Sequence, residues 1–170
     1  MSTNPYVTPA SASLSPQNQA VWTKELKSAR TILIVVGVLQ ILFGLFYLTQ
    51  VKSQVEEASR KEIANSPGYV FDQQKFDEEF EKEKPMMYAL ASVPLVVGVF
   101  FLIMSALVFK FPVGVTLASL IVFVLVHAAD AIYDPTAIAR GIILKIIFLV
   151  VLWKAYQSAK KARATVQGTM

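Results

Sequence analysis

The chain has 170 residues, of which 55% are hydrophobic and only 16% charged, whereas soluble domains carry about 25% charged residues. Its apolar residues gather in blocks of about 20, the length of a helix that crosses a bilayer core, which excludes an ordinary soluble domain. The absence of Cys excludes disulfides, thiolate metal sites and cysteine nucleophiles, and the single His excludes a histidine-rich metal centre. The net charge of +4 comes from basic residues that flank the apolar blocks, so it speaks for membrane orientation rather than nucleic-acid binding.

Residues 1–20 are polar and small, interrupted by Pro5, Pro9 and Pro16. Such a segment buries too little apolar surface to offset its ordering entropy, and it is expected to be disordered. It is not a secretory signal, because the first apolar run begins only after Arg30, is too long, and has no cleavage site after it. The first membrane segment covers 21–50, with Lys24, Lys27 and Arg30 as its basic lead-in. Gly37 and Gly44 lie seven apart on nearly one face and suit close helix packing. Gln40 is the strongly polar group in mid-helix.

The stretch 51–85 breaks the hydropathy completely. Ser66-Pro67-Gly68 is a turn signal, and Asp72 is an N-cap for a helix carrying Phe76 and Phe80 on one face. Two helices are expected here, standing out of the membrane and packing through Val51, Val55, Ile63, Phe76 and Phe80. The acidic run around Asp77-Glu78-Glu79 reads as a solvated face.

The second span covers 86–109, with a kink expected at Pro94 and with Gly98 as a contact point. The very short link at Lys110-Phe111-Pro112 makes the next span, 113–133, its antiparallel neighbour. Asp134 before Pro135 is the signature of an N-cap followed by the first helical residue, so the fourth span covers 135–156. A basic tail over 157–170 follows. Lys or Arg at 24, 27, 30, 110, 154, 160, 161 and 163 share one side, and the acid-rich loop takes the other. Both termini are therefore expected in the cytoplasm.

The third and fourth spans hold the unusual polar residues. His127, Asp130 and Asp134 are three and four apart, on one stripe. Lys145 falls roughly 15 Å below Pro135, close to the bilayer midplane, and shares a face with Gly141. Intramembrane charge is costly and needs a reason. His127, Asp130, Arg140 and Lys145 form a candidate polar cluster with two readings. In the structural one, Asp130 pairs with Arg140, Asp134 caps a helix and Lys145 snorkels or fixes register. In the other, Lys145, His127 and Asp130 relay protons or ions. The structural reading is preferred, since relays place acids at the midplane and these lie at the outer end. No spacing for a metal, a phosphate loop or an activated nucleophile is found, and no cofactor is expected.

Asp134-Pro135 leading into Gly141-Ile-Ile-Leu-Lys145-Ile-Ile and a Lys-Ala tail resembles small uncharacterised four-helix inner-membrane proteins of bacteria. The Asn4-Pro5-Tyr6 opening and Pro/Ser-rich tail are similar to tails in membrane proteins of planctomycete-like bacteria. The resemblance covers about the last sixty residues and the tail. It implies a bacterial inner-membrane address and carries no activity. The sequence thus predicts an all-α integral membrane four-helix bundle with an extramembrane helical hairpin between its first two spans. Its expected role is a non-enzymatic scaffold or accessory subunit, oligomeric through its membrane helices. The alternative is a small oligomeric transporter or channel component.

Overall fold

The computed structural model describes residues 15–64, 71–133 and 142–167. All regular structure among them is helical: α1 (Pro16–Ala64), α2 (Gln73–Ala91), α3 (Val93–Leu107), α4 (Pro112–Tyr133) and α5 (Ile142–Gln167). Four stretches are long and apolar enough to cross a membrane: Pro16–Lys61, Gln73–Leu107, Pro112–Ala129 and Ile142–Gln167. Only 22–28% of the residues in their most apolar windows are buried inside the protein. The chain divides into two compact units, one of Met1–Val38 with Val99–Met170 and one of Leu39–Gly98.

Three helix boundaries differ from the expectation. Helix α1 begins at Pro16, inside the stretch expected to be disordered. Ser15 starts it, with its side-chain oxygen 3.4 Å from the Asn18 N–H and its carbonyl accepting from the Gln19 N–H at 2.9 Å. Pro16 then occupies the first helical position, where its fixed φ helps and its missing N–H is not needed. At the other end, the basic tail expected from residue 157 is helix through Gln167. Alanines at 155, 159 and 162 favour the helix and are fully buried, so the packing seam outlasts the apolar run.

The third difference lies in the second span. In place of one helix with an internal kink, α2 ends at Ala91 and α3 starts at Val93. The Pro94 ring excludes a regular bond to the carbonyl one turn back. Ser92 takes up the break with φ −82° and ψ −11°. Its N–H donates to the Tyr88 and Ala89 carbonyls at 3.0 and 3.2 Å, and its hydroxyl donates to the Ala89 carbonyl at 2.7 Å. Pro94 then falls in the first turn of α3, where a proline costs little.

In the unit containing both termini, α1 buries Trp22, Leu26, Ala29, Leu33 and Val36, steps of four and three along one face. Helix α5 buries Phe148, Leu152, Ala155, Ala159 and Ala162 with the same steps. Helices α4 and α5 pack on each other. Phe123 meets Phe148 edge-on with centroids 6.1 Å apart. From that contact, the buried Ser119 and Thr116 step down α4 as Leu152 and Ala155 step up α5, the register of an antiparallel pair. The buried hydroxyls bond within their own helices. Ser105 donates to the Leu102 carbonyl at 2.7 Å, Thr116 to Pro112 at 2.8 Å and Ser119 to Val115 at 2.9 Å.

In the Leu39–Gly98 unit, Val51, Phe80 and Ala91 form a small core joined by Leu48, Val55, Phe76 and Met87. The side chain of Ile63 lies outside the described residues. Asp72 is the N-cap of α2, accepting from the Gln74 and Lys75 N–H groups at 3.0 and 3.1 Å. Gly37, Gly44 and Gly98 are buried, and Gly141 lies outside the described residues. At Gly44 the approach is so close that a Cβ would sit 2.7 Å from Leu95 Cγ and 2.9 Å from the Leu95 backbone nitrogen.

Gly44→Ala should therefore destabilise the protein by about 1–2 kcal/mol, the overpacking cost less what alanine returns in helix propensity. Gly114, whose Cβ would meet nothing within 4 Å, is the control. Gly114→Ala should be neutral or mildly stabilising in the same detergent-denaturation series.

Candidate functional site

Helix α4 carries His127 and Asp130, and α5 carries Lys145. His127 is half-buried and lies edge-on to Phe123 with ring centroids 4.3 Å apart. Through the Phe123–Phe148 contact this places His127 beside the α4–α5 seam. Lys145 is half-buried one turn before Phe148. The histidine thus touches the α4–α5 aromatic contact, and the lysine lies one turn along α5 from it. The side chain of Asp130 and the whole of Asp134, Arg140 and Gly141 lie outside the described residues. Among the described residues, no group of three His, Asp or Glu side chains is gathered for a metal ion.

A second polar region lies at the opposite end of α4, around the α3–α4 turn. There Lys110 and Phe111 donate their N–H groups to the Leu107 carbonyl at 2.9 and 3.1 Å. Phe109 faces Trp22 of α1 with centroids 6.5 Å apart, and the Arg30 guanidinium lies 5.8 Å from the Phe109 ring centre. Nearer the end of α5, Trp153 packs on Tyr156 at 5.5 Å, and Lys160 lies 5.8 Å from the Tyr156 ring centre. Aromatic bodies with cations at their faces are a common arrangement for amphipathic side chains at an apolar–polar boundary.

The third region is the charged face of the Leu39–Gly98 unit. Lys52 on α1 pairs with Asp77 on α2 at 2.8 Å and lies 5.9 Å from the Phe80 ring centre. Arg60 does more. Its guanidinium stacks on Phe71 at 3.9 Å, donates to Glu56 at 2.9 Å and donates to Gln73 at 2.7 Å. It therefore ties the end of α1 to the start of α2. Lys61 pairs with Glu57, and Lys84 with Glu81 at 2.9 Å. A shallow open groove runs along α2 between Gln73, Gln74, Asp77, Glu78, Glu81 and Lys82.

These pairs set the local protonation. The hydrogen bond from Lys52 holds the Asp77 carboxyl below the ordinary carboxylate range, and the same bond holds Lys52 above the ordinary lysine range. Lys61 lowers Glu57, and Glu81 raises Lys84 in the same way. These side chains remain largely open to solvent, which screens each pair and leaves each individually weak.

Sequence reasoning singled out His127, Asp130 and Lys145, and the structure sets His127 against Phe123 with Lys145 one turn before Phe148 on α5. It missed the Arg60–Phe71–Gln73 tie and the Lys52–Asp77 pair, which join residues far apart in the chain with no local signature. The buried stripe at 22, 26, 29, 33 and 36 was readable as a four-three repeat, although only the glycines of that helix stood out. Comparison of the chain with protein-family models, with curated proteins and with solved structures finds no match.

The Lys52–Asp77 pair predicts a pH dependence. A depressed carboxyl contributes stability that is complete above its unfolded pKa and is lost as pH falls through its lower folded value. A raised lysine contributes below its unfolded pKa and loses that contribution as pH rises through its higher folded value. The stability difference between the natural chain and Asp77→Asn should thus be constant from about pH 5 to 9. It should shrink below about pH 4 and above about pH 10.5. Urea titration across that pH range, read on the protein in detergent, checks it.

Proposed function

We propose that this chain is a four-span membrane protein that acts as a non-enzymatic scaffold or accessory subunit. In this reading it presents the α1–α2 hairpin to a partner outside the bilayer. The observation that carries the reading is a contrast in surfaces. The four apolar stretches leave large side chains uncovered, among them Phe46, Val96, Ile103, Leu125 and Ile143. Large apolar side chains left uncovered along helices of that length call for lipid or another membrane helix as their solvent. The hairpin face is instead solvated and acid-rich, with Lys52–Asp77 and Arg60–Gln73 joining its two helices and Arg60–Glu56 and Lys84–Glu81 paired within one helix each. Paired charges of that kind support a binding surface better than a reaction centre. The basic residues at 24, 27, 30, 110, 154, 160, 161 and 163 support a cytoplasmic location for both termini. An inner-membrane address in a bacterium fits the resemblance of the second half.

A second reading, a small oligomeric transporter, is favoured by one observation. His127 packs on Phe123 beside the Phe123–Phe148 contact, and Lys145 lies one turn before Phe148 on the packed helix α5. Titratable groups at such depth are where proton or ion paths are built.

Purification in mild detergent from the native host separates the two. The scaffold reading expects a larger membrane protein to co-purify in stoichiometric amount, and expects the hairpin variant Glu78→Lys with Glu79→Lys to release it at least tenfold more readily. A clean homo-oligomer would instead favour the transporter. Lys145→Met then decides. Under the scaffold reading, vesicles holding the natural chain and the variant show the same background proton flux. A flux abolished by the variant, with folding intact, would overturn that reading.

A further inference from the structure

Among the described residues, the basic end of the unit that holds both termini carries many more cations than acids. Lys24, Lys27, Lys110, Lys154, Lys160, Lys161 and Arg163 are all exposed. Lys24, Lys27, Lys110, Lys154, Lys161 and Arg163 make no ion pair among the described residues, and Lys160 only faces the Tyr156 ring. Glu25 is the one acid near them in the chain. This differs from the Leu39–Gly98 unit, where Lys52, Arg60, Lys61 and Lys84 are each matched to a carboxylate.

These cations converge on one end of the unit. The Trp22–Phe109 and Arg30–Phe109 contacts bring the start of α1 to the α3–α4 turn, where Lys110 lies. The antiparallel register that starts at Phe123 and Phe148 sets Ala159 level with Pro112, so the part of α5 that carries Lys154, Lys160 and Lys161 lies at the same end. Two exposed aromatics mark the boundary at this end. Phe111 is 65% exposed beside Lys110, and Trp153 is 49% exposed beside Lys154. The apolar part of α5 ends at Trp153, so Lys154 lies at headgroup depth. Lys160, Lys161 and Arg163 follow about 9–14 Å further along the helix, roughly within one Debye length of the headgroup layer.

We infer that this end is a docking surface for the anionic phospholipid headgroups of the leaflet it faces, and that the protein selects those lipids over zwitterionic ones. The inference rests on the proposed membrane insertion. Rings of unpaired cations beside interfacial aromatics are the chemistry that anionic headgroups match, and each cation near such a surface favours it by about fivefold.

The chain's two tryptophans provide the test. Trp22 is buried, and Trp153 lies at the boundary. The full-length protein is reconstituted in phosphatidylcholine vesicles containing brominated phosphatidylglycerol or, separately, the same fraction of brominated phosphatidylcholine. Bromine quenches the indole it touches. Phosphatidylglycerol should quench as though bound at least about fivefold more strongly. The preference should fall toward unity at 1 M salt and in the combined variant Lys154→Gln, Lys160→Gln, Lys161→Gln, Arg163→Gln. The control variant Lys75→Gln with Lys82→Gln, in the hairpin, should keep it. Equal quenching by the two lipids overturns the lipid selectivity and leaves membrane insertion standing. Quenching by neither overturns the insertion on which the inference rests. The salt arm uses the natural chain, so the test holds even if the fourfold variant fails to fold.

Discussion

Helices that leave most of their apolar residues uncovered have to satisfy their backbone within themselves. Under the proposed membrane insertion, that constraint governs the apolar part of this chain. In hydrocarbon an unmet N–H or carbonyl costs several kcal/mol, because no water can replace the lost partner. The response is visible residue by residue. Ser105, Thr116 and Ser119 are buried hydroxyls, and each donates to a carbonyl of its own helix. They add no polar demand to the seam between helices and keep the side chains small where helices meet. Where Pro94 prevents a regular bond, Ser92 places both its N–H and its hydroxyl on the carbonyls of the preceding turn.

With the backbone satisfied locally, association falls to shape. The seams at Trp22–Val36 and Phe148–Ala162 place a buried residue every three or four positions, and the Phe148 seam narrows from Phe and Leu to Ala along α5. At Gly44 the neighbouring backbone comes so near that no side chain fits. Close approach of this kind is how helices gain dispersion energy where the hydrophobic effect gives them no reason to associate. The Leu39–Gly98 unit adds a different set of ties. Its small core of Val51, Phe76 and Phe80 is flanked by Lys52–Asp77 and by Arg60 on Phe71 and Gln73. Each hydrated pair is weak. Together they specify which faces of the two helices meet.

Much of this architecture was legible before any coordinates. The apolar blocks announced four membrane-length helices, because the period and length of an apolar stripe depend only on residues near each other in the chain. Asp72 as a cap and Phe76 with Phe80 as one face followed from the same local rules. Helix ends were less legible. The start at Pro16 rests on the local Ser15–Pro16 cap, which a reading by composition passed over, and the continuation through Gln167 depends on the packing of Ala155, Ala159 and Ala162. Of the candidate cluster, His127 and Lys145 were found as charges in apolar surroundings. The packing of His127 on Phe123 beside Phe148 of the facing helix was not, since nothing in the spacing within one helix says which face of another it will meet.

The sequence by itself determined the helical class, the number of membrane-length segments and the separation of an acid-rich stretch from basic ends. These are sums over neighbouring side chains, and each helix closes its own hydrogen bonds. Only the tertiary structure decided that Arg60 would bind across to Gln73 and stack on Phe71. It alone decided that Lys52 would find Asp77, that Gly44 would admit the Leu95 backbone, and that the cations of Lys110 and the α5 terminus would share one end. Those outcomes depend on the distance and angle between helices, which are set by interlocking side chains from opposite ends of the chain.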